Sequence, residues 1–178
     1  MTEGSAYPYR RILFVCHANT ARSVMAEHLL RRRLVEIGVS PEEVVVESGG
    51  IAAFARDGSL VSLDTRLVLR DVGIGLSEEL GARDLKRGHR HLLDTADLIL
   101  TMTSEQIDMV RTHHDPGEIP LLTLRAFAGF AGDIDDPAGH GEDVFAAARD
   151  EIIHAIEHAL PRLVPSAPPL HSCASCVS

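Results

Sequence analysis

A cysteine, five intervening residues and an arginine, Cys16-His17-Ala18-Asn19-Thr20-Ala21-Arg22, form the part of this 178-residue chain whose spacing points most directly to chemistry. A five-residue turn can wrap its backbone N–H groups around a dianionic phosphoryl group, and an arginine at its far end can close the ring with paired donors. A helix starting there adds partial positive charge. The same field favours the thiolate of Cys16 at neutral pH, and a thiolate on the floor of such a cradle can attack phosphorus in line. Arg22 and the loop amides would hold the charge on the equatorial oxygens. Ser23 can donate its hydroxyl to the thiolate, and Asn19 can bond across the loop to hold left-handed bends. The competing reading is a small buried cysteine at a strand end. The company of Asn19, Ser23 and a strand-to-helix setting favours the chemical one.

The elements that must position this loop follow from hydrophobic pattern. Residues 11–15, Arg-Ile-Leu-Phe-Val, read as a buried parallel strand that stops at Cys16. Residues 23–38 place Val24, Met25, Leu29, Leu34 and Ile37 at helical spacing, with Gly38 as the stop. Strands are expected at 44–47, 98–102 and 119–124, and helices at 60–72, 104–114 and 142–160, the last with Phe145, Ala148, Ile152, Ile156 and Ala159 on one face. This alternation predicts an α/β fold, a three-layer α/β/α domain with a central parallel sheet of about four strands and the phosphate-binding loop after the first. Residues 1–10 read as an N-terminal extension, 11–163 as the domain, and 164–178 as a flexible tail; four prolines fall between 161 and 178.

The run Val15-Cys16-His17-Ala18-Asn19-Thr20-Ala21-Arg22-Ser23-Val24-Met25-Ala26-Glu27 resembles the loop V-C-x-G-N-x-C-R-S-P-M-A-E of the low-molecular-weight protein tyrosine phosphatases. That family includes bacterial protein-arginine phosphatases and thioredoxin-coupled arsenate reductases. The resemblance extends from about residue 11 to about 163 and takes in Glu47-Ser48-Gly49-Gly50 and residues 96–103. It implies a cysteine-dependent phosphatase working through a phosphocysteine, with Cys16 as nucleophile and Arg22 as phosphate-binding arginine. Residues 17–23 (His17, Ala18, Asn19, Thr20, Ala21, Arg22 and Ser23) would line the substrate site. Three positions depart from the pattern. Ala18 places a Cβ where the family backbone bends tightly, a feature able to distort the cradle. Val24 replaces a first-turn proline, which a helix tolerates. Ala21 replaces the second loop cysteine, so a disulfide inside the loop cannot form.

Leaving-group departure needs a proton donor, and Asp133-Ile134-Asp135-Asp136-Pro137 offers one at the place of the family's Asp-Pro loop, ahead of the last helix. Asp136 is the expected general acid, with Asp135 as competitor; Asp115-Pro116 lies where the family has no acid. For substrate choice, the resemblance attaches meaning to the residue after the loop asparagine: bulky aliphatic in tyrosine phosphatases, threonine in protein-arginine phosphatases, and Thr20 here. Ala138 stands where an aromatic often walls the phosphotyrosine ring, which leaves Phe54 as the nearest ring. Phosphotyrosine, phosphoarginine and small-molecule phosphates all remain open.

Composition narrows the partners. A formal charge of -9 disfavours non-specific attraction to nucleic acid or anionic lipid, and nowhere do roughly eighteen apolar residues run together as a spanning helix needs. No signal-like segment opens the chain and only three cysteines occur, so a cytoplasmic location with reduced thiols is expected. No metal and no cofactor is expected, because the ten histidines show no ligand spacing. The partners are a phosphorylated protein or small molecule, with phosphate or sulfate in the loop. Two alternatives stand beside this reading. One is a thiol-coupled arsenate reductase using Cys173 and Cys176; the other is a catalytically silent phosphate-binding module.

Overall fold

The computed structural model describes residues 7–165. Its elements run β1 (Arg11–Cys16), α1 (Arg22–Glu36), β2 (Val45–Gly50), α2 (Leu63–Asp71), α3 (His91–Thr95), β3 (Leu98–Thr101), α4 (Ser104–His113), β4 (Leu121–Thr123), α5 (Leu124–Phe127) and α6 (Glu142–Leu163). The four strands form one parallel sheet in the order β2-β1-β3-β4. This is the three-layer architecture expected from the alternating pattern.

Strand β1 is central, and its residues divide by parity. Ile12, Phe14 and Cys16 enter the core built with α1, α2 and α6, while Leu13 and Val15 enter the core on the opposite face with Leu92, Leu93 and Val110. Each fully buried side chain of this size contributes roughly 1.5–3 kcal/mol, so β1 is anchored from both sides and Cys16 stands at a fixed height. Cys16 pairs in register with Gly50 of β2, and Val15 with Thr101 of β3. Their carboxyl ends therefore form one rim, where parallel sheets place ligands.

Boundaries differ from the sequence pattern for local reasons. The helix expected over 60–72 starts at Leu63, because Ser62 caps it by accepting from the Thr65 N–H at 3.2 Å. Leu60, which made the pattern look longer, is 77% exposed. Strand β4 is only three residues long, since the Thr123 side chain accepts from Ala126 N–H and starts the unforeseen α5. Helix α6 continues past residue 160 through Pro161, where Arg162 donates to the Phe127 carbonyl at 2.7 Å and covers its ring. The tail from residue 166, with Cys173 and Cys176, lies outside the described residues. Among those described, no helix is long and apolar enough to cross a membrane.

Candidate active site

Residues 17–21 bridge the end of β1 to the start of α1 as a tight loop over the rim. Its backbone is pinned from β2, where Ile51 N–H donates to the Cys16 carbonyl at 3.1 Å and Ala52 N–H to the His17 carbonyl at 3.0 Å. A Cβ on Gly50 would sit 2.8 Å from the Ala18 carbonyl carbon and 2.9 Å from the His17 oxygen, so only glycine allows this approach. The loop's one left-handed residue is Asn19, at φ 59°. Ala18 is not in the left-handed region, so its Cβ meets no backbone penalty there.

Cys16 is 3% exposed, and its sulfur takes the Asn19 N–H at 3.3 Å and lies 2.8 Å from Ser23 Oγ. Asn19 turns its side chain inward: Nδ2 donates to Ser23 Oγ at 2.9 Å and to Ser48 Oγ at 2.8 Å, while Oδ1 accepts from Arg83 N–H at 2.9 Å. Thr20 is tied at its carbonyl, which accepts from Ser62 N–H and the Thr65 hydroxyl, both at 3.1 Å. Among the described residues no acceptor takes the N–H groups of His17, Ala18, Thr20, Ala21 and Arg22. Ala21 caps α1 without a side-chain hydrogen bond and no acidic residue occupies its first turn, so the helix end keeps its positive partial charge.

Arg22 is 2% exposed. Its guanidinium donates to the Ile134 carbonyl at 2.8 Å and pairs with Asp136 Oδ2 at 3.1 Å, and the same nitrogen lies 3.2 Å from His17 Nδ1. Because a guanidinium only donates, Nδ1 accepts and the ring proton sits on Nε2, facing Glu105 Oε2 at 3.4 Å. The Asp-Pro loop is fastened to the same rim: Asp133 accepts from the backbone and hydroxyl of Ser104, and Ile134 N–H donates to the Met102 carbonyl. Asp136 keeps a half-exposed carboxylate over the loop, whereas Asp135 is exposed and Asp115 accepts from its own turn at Gly117. Phe54 is 65% exposed with its ring 6.4 Å from that of His17.

The structure thus brings Cys16, Arg22, Asp136, His17, Asn19 and Ser23 to one point, with Phe54 on the rim. It adds Ser48, Arg83, Glu27 and Glu105, which pattern reading did not single out as site residues. Ser48 was findable from its place at the end of a parallel strand; Arg83 lies in a stretch without period or motif. Beside the site Asp57 is held below the usual carboxylate range, first by the Asp84 N–H and then by His89, with burial opposing. Burial pushes His28 below the usual histidine value, against the pull of Glu27. Among the described residues no group of three or more His, Cys, Asp and Glu is placed to hold a metal ion.

Comparison with known proteins fits this geometry. A family profile described as low molecular weight phosphotyrosine protein phosphatase matches residues 11–166. A protein-arginine-phosphatase of Geobacillus stearothermophilus is 37% identical over 157 residues, 88% of this chain and 97% of that one. The low molecular weight protein-tyrosine-phosphatase PtpB of Staphylococcus haemolyticus is 30% identical, covering 82% and 94%. Among solved structures, the YwlE arginine phosphatase from G. stearothermophilus superposes with a TM-score of 0.71 at 36% identity, over 84% of this chain and 89% of that one.

Proposed function

Since this chain belongs to the low molecular weight phosphotyrosine protein phosphatase family and is a cysteine-based phosphatase, we propose that it hydrolyses phosphoarginine in proteins, using Cys16, Arg22 and Asp136. Thr20 carries this reading: it is the residue after the loop asparagine, and its hydroxyl has no hydrogen-bond partner among the described residues. The phosphoryl-bearing guanidine offers N–H donors that such a hydroxyl can accept, and a phenyl ring offers none. The arginine-phosphatase relative, matched over nearly its whole length, supports the same choice. Ala138, which leaves the mouth without an aromatic wall there, points the same way.

Catalysis then runs in two steps. The Cys16 thiolate attacks phosphorus, the P–N bond breaks, and the Asp136 carboxylic acid protonates the departing nitrogen. Arg22 exchanges its present contact with Asp136 for the phosphoryl oxygens, which frees the acid for its role. A water next attacks the phosphocysteine while the Asp136 carboxylate takes its proton, so inorganic phosphate leaves and the thiolate is restored. The loop amides are the expected seat of phosphate or sulfate, residues 11–163 are the unit that carries the chemistry, and a cytoplasmic setting suits a thiol that must stay reduced. Arsenate reduction is not favoured, the named relatives being phosphatases.

The deciding experiment compares kcat/KM on phosphoarginine and phosphotyrosine peptides and on small phosphate esters. Phosphoarginine should lead by about tenfold or more, the worth of one hydrogen bond to a charged group; a lead for phosphotyrosine would contradict the assignment. Thr20→Ile, which removes the hydroxyl and adds aliphatic bulk, should cost phosphoarginine roughly tenfold and leave phosphotyrosine unimpaired. Asp136→Asn should slow phosphoarginine turnover about 100-fold, the scale of general acid catalysis. It should slow p-nitrophenyl phosphate less, because that leaving group needs little protonation. The comparison is of kcat/KM, which ends at formation of the phosphocysteine, and equal losses of it on both substrates would argue against Asp136 as the acid.

A further inference from the structure

Glu27 lies on α1, is 2% exposed, and takes no part in the two steps above. Its Oε2 accepts from the Ser48 hydroxyl and lies 3.2 Å from Arg83 Nη1; its Oε1 is 2.7 Å from Arg31 Nη2. A carboxylate only accepts and a guanidinium only donates. The Ser48 proton is therefore committed to Glu27, and Ser48 Oγ is left to accept from Asn19 Nδ2. The Asn19 amide cannot turn over, because its Oδ1 is held by the Arg83 N–H. Its second Nδ2 proton goes to Ser23 Oγ, so the Ser23 hydroxyl is left to donate to the sulfur of Cys16 at 2.8 Å.

We propose that Glu27 is a positioning residue for the nucleophile: by taking the Ser48 proton it leaves Ser48 Oγ to accept from Asn19 and, together with the Arg83 N–H on Asn19 Oδ1, it holds the amide that commits the Ser23 hydroxyl to the Cys16 thiolate. The proposal rests on Cys16 being the nucleophile. It is distinct from a through-space effect, which has the opposite sign. A buried negative charge near the loop disfavours a thiolate, so its removal would make the thiolate easier to form.

The test uses the full-length protein and follows alkylation of Cys16 by iodoacetamide across pH. Mass spectrometry of the Cys16 peptide keeps Cys173 and Cys176 from contributing, and thermal melting is recorded in parallel. Glu27→Leu, which offers Ser48 no acceptor, should move the inflection up by about one pH unit, a roughly tenfold slower reaction below it. Glu27→Gln can present a carbonyl oxygen at the same place and should stay within about 0.3 unit of the wild type, less than a twofold change in thiolate population. Ser48→Ala leaves Glu27 and both arginines in place and should reproduce the Leu shift. If Glu27→Leu does not fold, the split between Glu27→Gln and Ser48→Ala decides alone. A downward shift in both Glu27 variants, or in Glu27→Gln alone, would overturn the proposal in favour of simple charge. Lower melting temperatures with unmoved inflections would overturn it in favour of a merely structural role. Wild-type alkylation of Cys16 that leaves turnover intact would remove the nucleophile assignment itself, a failure separable from the others.

Discussion

Replacing the sulfur of Cys16 by oxygen, Cys16→Ser, should abolish turnover of every phosphate substrate, by roughly five to six orders of magnitude, as nucleophile removal does in other covalent hydrolases. The reason lies in the partners of the sulfur. It faces the Asn19 backbone N–H and the Ser23 hydroxyl, two groups able to donate to a thiolate. A thiol is far more acidic and, once ionised, far more nucleophilic than a serine hydroxyl, which needs an adjacent general base to attack. The fold should be untouched: serine is close to isosteric, and both contacts suit an oxygen. The measurement is kcat on phosphoarginine and p-nitrophenyl phosphate alongside a melting curve. Inorganic phosphate should still bind, because the amides and Arg22 remain.

Arg22→Lys should separate the other half of the site. Arg22 is buried, and its fork reaches the Ile134 carbonyl and Asp136 at once, a geometry that a single ammonium cannot reproduce. A drop of roughly 10²- to 10³-fold in kcat/KM is expected, the scale of losing a preorganised donor to transition-state charge. Phosphate inhibition should weaken with it, in contrast to Cys16→Ser. Cys16 should remain alkylatable, since its N–H and hydroxyl partners are in place. An Arg22→Lys enzyme that binds phosphate and turns over like the wild type would show that the guanidinium does not hold the oxyanion.

The sheet was legible because its physics is local: short β-branched and aliphatic runs alternating with amphipathic ones leave little choice but a parallel sheet with a helix layer on each face. The ends of elements were less legible. Ser62 and Thr123 each start a helix by side-chain capping, and nothing in the apolar pattern marks such a cap. The reactive loop could be read because its residues are contiguous. Asp136 could be placed only by its setting before the last helix, and its contact with Arg22 depends on Asp133 and Ile134 fastening that loop to β3 and α4. Arg83 and Glu105 reach the site from stretches whose own sequence carries no period toward it. Ala18 ran the other way. The tight approach that its Cβ was expected to disturb falls at Gly50, and the left-handed bend falls at Asn19.

In the proposed reaction the phosphoryl group passes through one sulfur atom, that of Cys16. Rapid acid quenching of the enzyme during turnover of a phosphoarginine peptide, followed by mass spectrometry of the Cys16 peptide, observes that directly. The expected result is a Cys16 peptide heavier by one phosphoryl group, absent from Cys16→Ala, and accumulating in Asp136→Asn when p-nitrophenyl phosphate, whose departure needs little protonation, is the phosphoryl donor. Full turnover with no phosphorylated Cys16 at any quench time, in either wild type or Asp136→Asn, would contradict it.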